Sequence, residues 1–230
     1  MAEQKLHVVN SNDLLAQAQD LWNKFQRPVL IGIGAIVVIF GGWYAYQNWF
    51  IAPKEAQAED VISRAQQYFA IDSLNYALNG DGSSKGFVYV IKNYDGTKTG
   101  NLAKYYAGVC YLRLGNFSKA VDDLKGFSTD AKQVQMMAYG CLGDAYSELK
   151  KTDEAVDYYK KAASTFESDE ANSSEYLFRA ALLDETKGKT QDALELYKEL
   201  KDKFPKSSRA VEADKYIYRL SIEPNDFSVK

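Results

Sequence analysis

Few residues in this sequence have side chains of the kind that catalyse reactions or bind metals. The only histidine is His7, and the only cysteines are Cys110 and Cys141. A Cys₄ or Cys₂His₂ zinc site therefore cannot form from one chain. A catalytic triad with a histidine base is not expected in the body of the chain, because His7 lies at the N-terminal end. For the cysteines the sequence favours buried, unpaired thiols, with a disulfide as the alternative.

Two groups of polar residues resemble functional motifs only in part. Residues 80–86 read GDGSSKG, which has the glycines of a phosphate-binding loop but not its Gly-Lys-Ser/Thr order. The segment also begins like a calcium loop but lacks the glutamate at the twelfth position. We expect a flexible loop between helices here, and we expect Asp122 and Asp123 to be solvated acids. The chain is therefore not expected to be an enzyme or to hold a cofactor or a metal.

The composition is that of an ordinary folded chain. Of the 230 residues, 46% are hydrophobic and 26% are charged, and 28 basic against 31 acidic residues give a net charge of −3. A surface that binds nucleic acid normally needs a basic excess, so nucleic acid is not an expected partner. The length allows one or two domains.

The segment between Arg27 and Lys54 contains no charged residue. Its 18 residues 29–46 include nine valine, leucine, isoleucine or phenylalanine side chains. As a helix they span roughly 27 Å, and continuation to Ile51 gives roughly 34 Å, enough to cross the apolar core of a bilayer. Aromatic residues crowd the C-terminal end, as they do at membrane interfaces. We predict a transmembrane helix over 28–51. The alternatives are a buried core helix and a cleaved signal peptide.

Residues 1–27 form a short N-terminal tail in this interpretation. Apolar residues recur at helical spacing after Ser11, which predicts an amphipathic helix. This helix either lies along the membrane surface or leads into the span, stopped or kinked at Pro28. Basic residues before the span, among them Lys24 and Arg27, slightly favour a cytoplasmic tail with the larger domain on the other side.

The rest of the chain repeats with a period of 35 to 38 residues. A shift of 35 aligns Gly108 with Gly143, and a further shift of 38 aligns Ala155 with Ala193. Each unit predicts two amphipathic helices joined by a short turn. The predicted helix pairs are 102–114 with 117–127, 134–149 with 152–166, and 173–187 with 190–204.

These three units resemble tetratricopeptide repeats. Small residues stand where the helices of each hairpin press together or cross: Gly108, Gly143, Ala181, Ala120, Ala155 and Ala193. Two residues depart from the pattern, since Asp184 replaces a tyrosine in the third unit and Lys150 replaces the turn glycine in the second. The resemblance predicts an all-α fold, with an N-terminal transmembrane helix followed by an α-solenoid of helical hairpins.

A weaker unit precedes the three repeats, because residues 94–97 resemble residues 204–207 and each segment ends one helix and starts another. We expect an irregular leading hairpin over 52–100, formed by helices at 55–79 and 84–94. Three degenerate repeats and a capping helix at 207–222 then occupy 101–222, and a C-terminal tail follows at 223–230.

A partner-binding groove is implied on the concave face, which the first helices line in this repeat family. Its apolar positions in this sequence are Leu102, Tyr105, Val109, Leu112, Met137, Phe178 and Leu182. They suit an extended or helical peptide. The basic clamp by which some relatives hold the C-terminal carboxylate of cytosolic chaperones is missing, because Tyr105 and Val109 occupy its lysine and asparagine positions. The alternative is that these residues pack against the leading hairpin or the capping helix.

One span followed by a modest repeat domain resembles the bacterial ancillary subunits of the SecYEG translocon. The resemblance implies a non-catalytic scaffold in the bacterial inner membrane, with a cytoplasmic N-terminus and a periplasmic repeat domain. Its implied partners are translocon subunits, a periplasmic chaperone or membrane-anchored prolyl isomerase-like factor, and emerging polypeptides. The alternative is a membrane-anchored repeat receptor or adaptor in another envelope or organelle assembly process. A membrane-tethered enzyme is a third and less favoured class.

Overall fold

The computed structural model describes residues 11–222 of the chain. The predicted tail 223–230 and the first ten residues, including His7, lie outside the described residues. Between residues 11 and 222 the chain forms helices and no strand, with one isolated bridge between Gly80 and Lys85. The all-α prediction is confirmed. The chain divides into two units, Met1–Pro53 and Lys54–Lys230, which we describe separately.

The first unit contains a long apolar helix, α1 (Ser11–Tyr46), followed by a π-helical turn (Gln47–Ile51). Helix α1 continues through Pro28, so of the two predicted possibilities, a stop or a kink, the helix does not stop there. A proline removes one backbone hydrogen bond, a loss that a helix of 36 residues accommodates. By length and composition this is a candidate membrane span, and none of its most apolar stretch is buried within the chain.

The second unit begins with three helices, α2 (Ala52–Ala70), α3 (Leu74–Asn79) and α4 (Phe87–Asn93). Three helical hairpins follow, and each predicted hairpin is present. They are α5 (Lys98–Arg113) with α6 (Phe117–Lys125), α7 (Lys132–Glu148) with α8 (Thr152–Thr165), and α9 (Glu170–Thr186) with α10 (Thr190–Lys203). A last helix, α11 (Ser208–Ser221), closes the series where the capping helix was predicted.

The leading segment differs from its prediction, because the expected helix over 55–79 is broken. Asp72 adopts a left-handed conformation with a φ of 62°, and the N–H of Ser73 donates to the carbonyl of Tyr68 at 2.9 Å. The turn lets Leu78 of α3 and Phe87 of α4 become buried in one core, 2% and 0% exposed. Helical periodicity alone does not reveal this break, since both sides of the turn are amphipathic.

Small residues hold the hairpins together as predicted. A Cβ atom on Gly108 would lie 2.5 Å from Cγ of Leu124, and one on Gly143 would lie 2.4 Å from Cδ1 of Tyr159. Each glycine therefore lets the second helix approach the first. The crossing alanines Ala120, Ala155 and Ala193 are all fully buried.

The turns within the hairpins need a left-handed residue. Gly115 and Gly188 supply it with φ values of 76° and 75°. Lys150 adopts the same conformation in the second hairpin, with a φ of 60°. A lysine in this region carries a steric cost that a glycine does not, so the surrounding helices must hold this turn in place.

Candidate functional site

The first helices of the hairpins contact one another along the solenoid. Helix α5 contacts α7, and α9 contacts α11. Side chains also link α7 to α9, where Arg179 reaches Asp144. We call the side of α5, α7, α9 and α11 that carries these links the inner face. It is the face on which the groove is predicted.

The end of the inner face formed by α5 is apolar and aromatic. Tyr105 is half-buried, and its ring centroid lies 5.3 Å from that of Phe127 and 5.6 Å from that of Tyr106. Burial raises the pKa of Tyr105 to about 12, and nearby Cys141 contributes to the shift. The phenol is therefore neutral, and its ring forms part of the apolar surface at this end of the inner face.

A tyrosine that sequence reasoning did not select crosses the middle of this face. Tyr176 of α9 lies over Gly140 of α7, where a Cβ atom would stand only 2.3 Å from its Cε1. Tyr176 is half-buried, and burial raises its pKa to about 12. The glycine at this position of α7 leaves the space that the ring of Tyr176 occupies.

Ion pairs dominate the other end of the inner face. Arg179 lies 2.9 Å from Asp144 Oδ1 and 2.8 Å from Glu175 Oε1, and Arg209 lies 2.6 Å from Glu175 Oε2. Burial acts against ionisation of Glu175, but the hydrogen bonds from both arginines hold its pKa below its usual value. These charges satisfy one another across α7, α9 and α11. They stabilise the stacking of the first helices and leave little unpaired charge for a partner.

The predicted groove residues differ in how far they reach the surface. Met137 and Leu182 are 42% and 40% exposed. Four residues of α5 are half-buried: Leu102, Tyr105, Val109 and Leu112.

Phe178 is not at the surface, being 3% exposed. Its ring packs between those of Tyr197 and Tyr216, at centroid distances of 5.6 and 5.4 Å. The guanidinium of Arg209 lies 4.5 Å above it. Helix α11 lies where the first helix of a fourth repeat would lie, and it covers Phe178. Phe178 therefore belongs to the core and is not part of the candidate groove.

Comparison with known families decides what these hairpins are. Residues 102–130 and 175–207 match one model of the tetratricopeptide repeat, and residues 138–168 match another. The chain carries three tetratricopeptide repeats.

Solved structures support the same fold. Two structures of the tetratricopeptide-like repeats of a putative kinesin light chain from Podosopora anserina, one of them a variant, superpose with TM-scores of 0.52 and 0.53. Both are 14% identical in sequence, and the match covers 72% of this chain and 86% and 85% of theirs. At this identity the likeness shows the fold alone. No curated protein matches the sequence significantly.

The cysteines of the first two tetratricopeptide repeats carry free thiols. Cys110 is buried and Cys141 is half-buried, and burial raises the pKa of each to about 12. Neither thiol is a thiolate near neutral pH, so neither has the reactivity of a catalytic cysteine. Within the part of the chain that the structure describes, no group of three potential ligands could hold a metal ion.

The glycine-rich loop ahead of the repeats is internally hydrogen-bonded. The carboxylate of Asp81 accepts hydrogen bonds from the backbone N–H groups of Ser83 and Ser84 at 3.0 and 2.6 Å. It also accepts one from the hydroxyl of Tyr68 at 2.6 Å, the largest cause of its lowered pKa. With these donors already in place, Asp81 fixes a turn and has no need of a bound cation.

Proposed function

We propose that this protein is a membrane-anchored interaction scaffold whose tetratricopeptide repeats bind a protein segment on the inner face. The observation that carries the proposal is the exposure of Met137 and Leu182 on successive first helices. Arg179 and Glu185 of α9 form ion pairs with α7 and α11, so both lie on the inner face. Leu182 is three residues from each of them and therefore lies on the same side of α9. Met137 lies three residues from Gly140 and seven from Asp144 on α7, which places it on the same face.

The partner segment that suits this face is mainly apolar. The inner-face surface around Met137 consists of half-buried apolar and aromatic side chains of α5 together with Tyr176. The charged groups towards α11 are already paired with one another. A helical or extended segment with apolar anchors therefore gains affinity by covering the α5–α7 end.

We further propose that the protein is an accessory subunit of the bacterial SecYEG translocon. In this assignment it links the translocon to a periplasmic chaperone, a membrane-anchored prolyl isomerase-like factor or an emerging polypeptide. Support comes from one apolar N-terminal helix joined to a modest repeat domain, and from the absence of a carboxylate clamp on the inner face. The basic residues ahead of the span support an inner-membrane location with the repeats in the periplasm. A receptor in another envelope or organelle assembly process is the second candidate, favoured by the same apolar face.

Protease protection tests the membrane topology. Protease added to spheroplasts should degrade the repeats and leave the N-terminal tail intact. Protection of the repeats would reverse the topology and contradict a periplasmic role.

Co-purification tests the partner. The full chain, extracted gently in detergent, should retain translocon subunits, and replacement of residues 28–51 by an unrelated span should release them. A chain that retains other membrane proteins but no translocon subunit would favour the second candidate.

A further inference from the structure

A cleft with a volume of about 350 Å³ lies between the second helices α8 and α10, away from the inner face. Helix α8 contributes Asp153 and Asp157 to its walls, and α9 contributes Asp184. In all, six carboxylates line the cleft against two lysines: Asp153, Asp157, Asp184, Asp192, Glu195 and Glu199 against Lys160 and Lys189. Nothing in the proposed inner-face function uses this cleft.

Asp184 is the unusual group in this cleft. Its side chain is only 5% exposed, and its Oδ1 atom is buried without a hydrogen-bond donor. Nζ of Lys189 forms an ion pair with Oδ1 of Asp184 at 3.7 Å, too far to donate a hydrogen bond, and lies closer to Oδ1 of Asp153, at 2.5 Å. A buried carboxylate oxygen without a donor destabilises a fold, a cost that a bound hydrogen-bond donor would offset.

The repeat register shows that the carboxylate is particular to the third repeat. The shifts that align the repeats bring Asp184 onto Tyr146 and Tyr111, and bring Lys189 onto Lys151. Lys151 lies 5.8 Å from the ring centroid of Tyr146. In the third repeat Lys189 therefore faces the carboxylate of Asp184, whereas in the second repeat Lys151 faces the aromatic ring of Tyr146.

The corresponding cleft earlier in the solenoid has a different character. Between α4 and α6 a cleft of about 290 Å³ is lined by Tyr111, the apolar Val88 and Ile91, and four charged residues, Lys92, Lys119, Asp122 and Asp123. This earlier cleft balances two carboxylates against two lysines, whereas the cleft between α8 and α10 has six carboxylates against two lysines.

The chemistry of the cleft favours an organic cation over a metal ion. The described residues provide no group of three ligands close enough for a metal, whereas an ammonium group needs only one or two well-placed oxygen acceptors. Its N–H donors can pair with the carboxylate of Asp184 while the surrounding carboxylates balance its charge.

We propose that the cleft between α8 and α10 binds a primary alkylammonium group, with the carboxylate of Asp184 as its principal acceptor. Two sources carry this chemistry, a lysine side chain of a protein partner and a free aliphatic diamine. In either case the ammonium donates to Asp184 while Lys189 stays paired with Asp153. The site is independent of what the inner face binds.

Calorimetric titration of the full chain in detergent tests the proposal. The probes are 1,5-diaminopentane and lysine blocked at its α-amino and carboxyl groups, with tetramethylammonium as a cation that has no N–H donor. Asp184→Asn should weaken the binding of the ammonium probes about tenfold or more, the effect of removing a charged acceptor. The matched control Asp202→Asn, an exposed aspartate of α10 outside the cleft, should leave the affinity unchanged.

The pattern of binding then identifies the source. Binding of the diamine alone assigns a free amine, and binding of blocked lysine, alone or with the diamine, assigns a lysine side chain. Absence of binding by both ammonium probes, equal binding of tetramethylammonium, or full affinity in a folded Asp184→Asn variant would overturn the proposal. Circular dichroism melting of each variant establishes that it is folded.

Discussion

The carboxylate of Glu55 accepts hydrogen bonds from both the hydroxyl and the backbone N–H of Thr99, at 2.6 and 2.9 Å. Its other oxygen accepts from the backbone N–H of Lys98 at 2.6 Å. The first N–H groups of a helix have no partner inside that helix, so Glu55 of α2 caps the N-terminus of α5, more than forty residues later in the chain. A negative charge at this end also interacts favourably with the helix dipole.

Removal of this distant cap should destabilise the second unit. Glu55→Ala leaves the N–H groups of Lys98 and Thr99 without their acceptor, and we expect a loss of about 1–2 kcal/mol in the free energy of unfolding. Urea denaturation of the full chain in detergent, followed by circular dichroism, measures it. Glu59→Ala, at an exposed position of the same helix, should change the value by less than about 0.5 kcal/mol. Equal effects of the two substitutions would contradict the capping role.

Two glycines one turn apart on α7 should respond differently to the same substitution. At Gly143 a Cβ atom would meet Cδ1 of Tyr159, a buried ring whose hydroxyl donates to Asp144 at 2.7 Å. Gly143→Ala should therefore cost about 1–3 kcal/mol of packing strain, more than the gain of up to about 1 kcal/mol in helix propensity.

Gly140→Ala provides the matched comparison. Its Cβ would meet the outer end of the half-buried Tyr176 ring, which can turn outward. We expect this variant to keep a free energy of unfolding within about 0.5 kcal/mol of the natural chain. Thermal melts of both variants measure the difference. A Gly143→Ala variant as stable as Gly140→Ala would show that the close approach of α7 and α8 is not needed.

The hairpins were predictable because small residues recur at the places where helices touch. Gly108 and Gly143 mark these contacts in the sequence, and a repeat period makes each one support the others. The break at Asp72 was not predictable, because its left-handed turn is stabilised by burial of side chains on both sides of it. The burial of Phe178 was not predictable either, because it depends on α11 packing where the first helix of a fourth repeat would lie. The cap from Glu55 likewise joins residues that no local pattern connects.

The repeat domain should lose stability between acidic and neutral pH through Asp123. Burial raises the pKa of this carboxyl from 3.8 to about 6, with adjacent Asp122 adding to the shift and Lys104 and Lys119 opposing it. The folded chain thus holds this proton more tightly than the unfolded chain. The contribution of Asp123 is most favourable below about pH 4, falls as the pH rises through 6, and is constant above that value.

Asp123→Asn removes this dependence and tests its sign. The variant should be about 1–2 kcal/mol more stable than the natural chain at pH 8. This is less than the free energy that corresponds to the whole pKa shift, because the side chain of Asp123 is partly exposed. At the acidic end of the range, where both side chains are neutral, the two should have similar stability. Parallel urea denaturation series across this range measure the difference. A gap that does not change with pH would show that Asp123 is solvated, as the sequence predicted.

The apolar positions of the inner face can be tested without disturbing the core. Met137 and Leu182 are 42% and 40% exposed, so the double substitution to alanine removes apolar contact area while leaving the packing of the helices largely intact. If these side chains anchor a partner segment, their combined loss should cost about 2 kcal/mol or more, a weakening of about thirtyfold. Leu114→Ala is the control, because Leu114 is also 42% exposed but lies at the C-terminal end of α5 rather than at a predicted groove position. Quantitative co-purification from gently solubilised membranes should show partners lost with the double variant and retained with Leu114→Ala. Retention by both variants would mean that the partner does not bind at the exposed apolar positions of the inner face.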